Sequence, residues 1–440
     1  MGLTVNMSRL RADLVSLSSI GRLAGGGITR TSFSAADLAA REWYRARCAE
    51  AGLALRTDGI GNMFAEAPGP GSAGAGNGGA ESAGSGATPG PAAVWSGSHL
   101  DTVPDGGAFD GAVGAIAALE CARRLAEERV ELARPVRAVV FADEEGNYNH
   151  LLGSTAVARD FTGDEVAVMT GRDGDRLVDA ITAIGWDPGA LTGNRVDPEQ
   201  VYAFVELHIE QGPHLEAAGT DIGVVTSIVA MGGAVAEFRG RADHAGTTPM
   251  TGRQDPLRAA AQLIAALPAI TAAVSDTAVA TCGKLVTFPG GANVVPGLVR
   301  MLLDYRDPDA GRLARLDEQL TAAARQAAAA HDVTLHWAPE TPVPPVELDP
   351  RVRSAIDARA RGLGLSAVAM PSGAGHDAQN MAALAPTGMI FVPSRDGRSH
   401  SPAEHTDWAD IENGANVLLA TLTGLATTGV PDAGSAGGGR

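Results

Sequence analysis

Two short apolar runs, 93–98 and 136–142, flank a stretch at about 112–128 with helical apolar spacing, and this order constrains the fold more than any other feature of the chain. Short apolar runs bounded by turn formers read as buried strands. Strand, helix, strand in succession argues for a parallel sheet. A parallel sheet carries whatever follows its strands to one rim, which is where open α/β sheets bind ligands. Here the runs are followed by Ser98-His99-Leu100-Asp101 and by Asp143-Glu144-Glu145-Gly146, so chemistry-bearing side chains are expected on that rim.

The remaining chain divides by pattern. Residues 34–52 predict a helix with Ser34 as N-cap, followed by a short strand at 53–57 and the turn Asp58-Gly59. Residues 67–92 are almost wholly Gly, Ala, Pro and Ser. That composition buries too little apolar surface to offset its ordering entropy and predicts a mobile loop, as does the tail 429–440. From 213 to 343 the order becomes strand, helix, strand, strand, helix, strand, with helices near 255–274 and 311–331. This is the split βαβ arrangement of a small α+β, ferredoxin-like domain. After the proline-rich joint 342–345, a helix at 351–362, a turn at 372–375 and a strand at 389–393 resume the first pattern. A chain of 440 residues exceeds what one core usually serves. The expected division is therefore a mixed-sheet α/β catalytic domain in two parts, 1–212 and 344–428, with an α+β domain inserted at 213–343.

Charge and cysteine content exclude several function classes. A net charge of -17 argues against work on phosphate backbones, so no nucleic-acid partner is expected. Cys48, Cys121 and Cys282 are too scattered for a disulfide framework or a CxxC metal knuckle, and read as buried thiols of a reducing compartment. Residues 1–23 lack the continuous apolar core of a signal peptide, and no later run reaches about 20 uninterrupted apolar residues. A soluble, cytoplasmic protein without a membrane partner is expected.

Four clusters carry the chemistry. His99 and Asp101, two apart on an extended segment, share a side, so the Asp101 carboxylate would accept the second ring N–H of a metal-bound His99. Asp110 follows a loop containing Gly106 and Gly107 and precedes the helix, where its carboxylate could bridge two cations. The strand ending in Glu144-Glu145 delivers adjacent carboxylates, costly unless cations or protons compensate. With the two facing opposite ways, Glu145 is read as a ligand and Glu144 as the general base. In Glu206-Leu207-His208-Ile209-Glu210, alternation places His208 and Glu210 on one face, and His208 is the third ligand candidate. His400, in the polar loop 394–402, completes the set. Three histidines and two acids without thiolate suit Zn, Mn, Co or Ni.

These clusters, with Gly26-Gly27-Ile28-Thr29-Arg30, Asp58-Gly59-Ile60-Gly61-Asn62, His244-Ala245-Gly246 and the run from Ser372 to Asp377, resemble the M20-type aminoacylase and carboxypeptidase superfamily. Within it they resemble the hydantoinase/carbamoylase branch, which includes N-carbamoyl-L-amino-acid hydrolases, allantoate amidohydrolases and β-ureidopropionases. The resemblance implies a zinc-aminopeptidase-like catalytic domain with the inserted domain as lid and dimerisation element. It implies two divalent ions per subunit, one on His99 and His208, the other on Glu145 and His400, with Asp110 between them. It implies that His244 reaches the neighbouring subunit's site in a homodimer, that Asn293 contacts substrate, and that Arg306 clamps a substrate carboxylate after a strand at 298–303. Gln211 and His376 are further candidates for substrate contact. The alternative for Arg306 is an ion pair with Asp304 or Asp307. One departure is Asn147-Tyr148-Asn149-His150, where members commonly carry an Arg-Phe pair, which bears on substrate preference.

The function implied is hydrolysis of the ureido C–N bond of an N-carbamoyl-L-amino acid, with allantoate or β-ureidopropionate as rival substrates. A non-catalytic binding protein on the same fold is the rival from another class, one for which the base Glu144 would serve no purpose.

Overall fold

The structure is a computed structural model, and it describes residues 2–67 and 91–431. All but the ends of the expected mobile loop, and most of the expected mobile tail, therefore lie outside the described residues. Packing divides the chain into two units, Met1–Thr226 with Glu347–Met370 and Gly375–Arg440, and Ser227–Val346 with Pro371–Ala374.

The first unit is built on a mixed sheet. Its strands lie in the order Ala54–Thr57, Met63–Glu66, Val136–Phe141, Ala93–His99, Val201–Ile209, Thr387–Val392, Ile222–Ile228, Val346–Glu347, with Ala367–Ser372 also paired to Ile222–Ile228. The four central strands are mutually parallel, as the strand, helix, strand order predicted. The hairpin at the edge is antiparallel, and its second strand, Met63–Glu66, is too short to announce itself in the sequence.

Ala112–Glu127 follows the first central strand and is buried along nearly its whole length. Small residues let it lie close to the sheet, with Met7–Leu17 packed against it and Trp408–Thr427 beside it on the same strands. The one acid buried in this helix is fully partnered: Glu120 accepts from Arg9 Nε at 2.7 Å, Arg9 Nη2 at 2.8 Å and the Asn6 N–H at 2.9 Å. Removing Arg9 would leave this buried charge, among cations, only the longer, 3.8 Å contact to Arg123, a costly way to break such a pair. Ser34 caps Ala35–Glu50 by accepting from the Asp37 N–H, as expected.

The second unit holds a four-stranded antiparallel sheet in the order Thr334–Pro339, Ala230–Arg239, Leu298–Asp307, Val279–Phe288. Helices Pro256–Val274 and Ala310–Ala330 pack on it through Leu263, Leu267, Leu313, Leu316 and Leu320. Pro256–Val274 has 19 residues and is long and apolar enough by length and composition to cross a membrane, yet Leu263 and its neighbours serve this core. The strand expected at 298–303 runs on to Asp307, so Asp304-Tyr305-Arg306 lie within it and not after it. Alternation buries Tyr305 at 2% exposure and turns Asp304 and Arg306 to the other face.

Candidate metal centre

Each of the four central parallel strands ends at a chemistry-bearing residue or leads into one. Ala93–His99 ends in His99, Val136–Phe141 leads into Glu144-Glu145, Val201–Ile209 carries His208 at its end, and Thr387–Val392 leads to His400. Their common direction brings the clusters to one rim, and the Gly-rich loop after His99 adds Asp110.

Two groups of donor atoms form there, each within 4.8 Å: His99, Asp110 and His208, and Asp110, Glu145 and His400. Asp110 belongs to both. Its Oδ1 lies 3.2 Å from His208 Nε2 and 3.8 Å from His99 Nε2, and its Oδ2 lies 3.2 Å from His400 Nε2. Glu145 Oε2 is 3.4 Å from His400 Nε2, and Glu144 Oε2 is 3.5 Å from His99 Nε2. The consecutive carboxylates thus lie against different histidines. His400 stands half exposed, while His99, His208 and Asp110 are buried.

The histidine tautomers are set from behind. His208 Nδ1 sits 2.9 Å from the Ile209 carbonyl and His99 Nδ1 sits 3.0 Å from the Asp101 carbonyl, so each Nδ1 carries a proton and each Nε2 is turned toward the acids. This corrects the expected role of Asp101. Its carboxylate is 3.8 Å from His99 Nδ1 and instead accepts the Glu145 N–H at 3.1 Å. The strand ends at His99, so the two-residue alternation stops before Asp101. Gly111 completes the seat of His99: its φ is +62°, and a Cβ there would fall 2.3 Å from the imidazole. No L side chain fits.

The electrostatics fit a cation. Burial, then the charge of Glu145, pushes Glu144 well above the carboxylate range; burial, then Asp110, pushes Glu145 up to about 8. Burial drives His99 down to about 4 although Asp110 opposes it, whereas at His208 the closer Asp110 outweighs burial and holds the ring up at about 9. Protons therefore gather where positive charge is lacking. Glu145 Oε1 is buried with no hydrogen-bond partner, as a ligand oxygen awaiting an ion would be. The donor set, imidazoles and carboxylates, is that of borderline divalent ions.

The other expected residues are placed as follows. Gln211, at φ +60°, donates from Nε2 to Asp110 Oδ2 at 2.8 Å, so its amide holds the shared carboxylate. His376 is buried with its ring 4.5 Å from that of His208. With Glu206 and His208 it forms a third donor group, but the oxygens of Glu206 already accept from Ser98 Oγ at 2.8 Å and the Ala378 N–H at 2.9 Å. Glu210, expected beside His208, instead caps His214–Ala218 by accepting the His214 and Leu215 N–H groups. In the second unit, His244 pairs with Val294 across a short ladder, next to the hydrogen bond from the Ala245 N–H to the Asn293 carbonyl. His244 is exposed, its Nδ1 accepting from the Gly246 and Thr247 N–H groups. The guanidinium of Arg306 is bidentate on Asp304, at 2.9 and 3.1 Å, with a third bond to the Gly373 carbonyl. That is the ion pair considered as its alternative.

Sequence reasoning missed Asp143, Ser399 and Glu404. Asp143, at φ +54° and buried, accepts the N–H groups of Asn147, Tyr148 and Asn149 and so shapes the segment after Glu145. Nothing in the sequence distinguishes it from its acidic neighbours.

Residues 95–424 match Peptidase family M20/M25/M40. The chain belongs to that family. This M20 hydrolase is 37% identical over 407 residues to an N-carbamoyl-L-amino-acid amidohydrolase of Paenarthrobacter aurescens, covering 91% of this chain and 94% of the relative. It is 35% identical over 417 residues to an allantoate amidohydrolase of Escherichia coli (strain K12), covering 93% and 96%. Among solved structures, a hydantoinase/carbamoylase family amidase from Burkholderia vietnamiensis matches with a TM-score of 0.85 at 31% identity, covering 98% of this chain and 99% of that one. M20 members are metal-dependent hydrolases, and the groups around Asp110 are where this member could hold its ions.

Proposed function

We propose that this M20 chain is a carbamoylase-type amidohydrolase that cleaves the ureido C–N bond of N-carbamoyl-L-amino acids. The observation that carries the reading is Asp110 shared between two donor groups, with the unligated Glu144 beside them. The family of relatives acting on carbamoyl and ureido compounds supports it. His99 and His208 would hold one divalent ion and Glu145 and His400 the other, with Asp110 between. Such ions polarise the carbonyl and make water a stronger nucleophile, which a ureido carbon needs because two nitrogens donate into it.

Glu144 takes a proton from the attacking water. The water oxygen bonds to the ureido carbon, the bond to the amino-acid nitrogen breaks, and Glu144 returns the proton to that nitrogen. The amino acid and carbamate leave, and carbamate falls apart to ammonia and carbon dioxide. The His99 and His208 rings are each held at Nδ1 by a main-chain carbonyl, which would leave their Nε2 atoms to hold an ion. The second unit is read as lid and dimerisation domain, bringing His244, Asn293 and Arg306 to substrate. For Arg306 this requires release from Asp304.

Metal-reconstituted protein should release ammonia and an amino acid from N-carbamoyl-L-amino acids faster than from β-ureidopropionate or allantoate. Faster turnover of allantoate would reassign the substrate, and no turnover of any ureido compound would defeat the reading.

A further inference from the structure

Beyond that reading, and resting on it for the identity of the ions, we infer that Glu404 is a positioning residue for Asp110, setting the main chain of the Asp110 loop and joining it to the loop that carries His400. Glu404 is 6% exposed and lies outside both donor groups. Its Oε1 accepts the Phe109 N–H at 2.7 Å and the Asp110 N–H at 3.1 Å. Its Oε2 lies 2.8 Å from Ser399 Oγ, and the same hydroxyl is 2.9 Å from Asp110 Oδ2. One carboxyl therefore grips Asp110 at both ends, directly at the main chain and through Ser399 at the side chain.

The loop is shaped to receive it. A Cβ at Gly107 would fall 2.1 Å from Glu404 Cδ, so the absence of a side chain at 107 is what lets the carboxyl reach the two amides. Partners that hold metal ligands in place commonly account for 10- to 100-fold in ion affinity. Here the held residue is the one both ions would share, so loosening it should weaken both. A group that merely glued two loops would show itself in the stability of the metal-free fold and leave ion retention alone.

Glutamine can replace the grip without the charge. Its amide oxygen accepts both N–H groups, and its NH₂ donates to Ser399, leaving the Ser399 proton for Asp110. The test measures amide exchange of segment 105–112 in metal-free protein, and retention of zinc or manganese against a competing chelator. Glu404→Ala should exchange that segment about tenfold faster and release ions at about tenfold lower chelator, while Glu404→Gln stays near wild type. Gly107→Ala should reproduce Glu404→Ala, and the double variant should be no worse than either. The role is overturned if Glu404→Ala exchanges and retains ions like wild type, if it lowers only the melting midpoint of the metal-free form, or if Gln is as damaging as Ala. Wild-type protein that binds no divalent ion would instead defeat the metal reading, leaving the exchange measurement to decide whether Glu404 shapes the loop.

Discussion

Glu144 and Glu145 are chemically identical neighbours that face different histidines, and the proposed reaction gives them different work. Glu145 shares a donor group with His400 and Asp110, whereas Glu144 faces His99 from outside the donor groups. Glu144→Gln keeps shape and removes the basic oxygen. It should leave ion stoichiometry unchanged and lower kcat by about 100- to 10,000-fold. Measured turnover near wild type, at full ion content, would remove Glu144 from the reaction. The residues that bear donors were legible because imidazole and carboxylate are conspicuous among apolar neighbours. The atoms they use were not. Asp101 was correctly linked to His99 but through the wrong oxygen, since the sequence does not say that alternation ceases at His99.

At the scale of elements, periodicity revealed the central strands and the long helices, and it failed where elements were short or ran past a polar residue. Met63–Glu66 has four residues, too few to show a period. Leu298–Asp307 continues through Asp304 because only every second residue must be apolar, and Tyr305 supplies the next inward side chain. Its end residue offers a test. Burial raises the Asp307 carboxyl, but Ser275 Oγ at 2.5 Å, the Asp309 N–H at 2.8 Å and Arg312 Nε at 2.8 Å together outweigh it and hold the group below an ordinary aspartate. A carboxyl lowered on folding contributes stability above its unfolded value, near pH 4, and loses it as pH falls through the lower folded value. Asp307→Asn should therefore melt below wild type at pH 7, with the gap closing toward pH 3. A gap independent of pH would mean that the charge contributes nothing.

Over the whole molecule, the centre joins parts of the chain that no local pattern connects: Glu404 bonds to an amide 294 positions away, and Gln211 to a carboxylate 101 positions away. Such pairings follow from strand order, which sequence periodicity does not encode. They also predict how the molecule responds to losing its ions. Ions bound only by the folded state stabilise it by roughly 4 kcal/mol at a thousandfold excess over Kd. Chelation should therefore lower the melting midpoint by several degrees, and added zinc or manganese should restore it. Identical midpoints with and without chelator would count against ions held by buried ligands.

Position 111 has a different kind of importance. It bears no side chain and would escape any search for reactive groups, yet a single methyl group placed there would occupy the space of the His99 ring. Variation at that site is closed by volume alone, which makes a residue with no chemistry as invariant a requirement as the histidine it makes room for, and marks it as a position any redesign of this scaffold has to leave untouched.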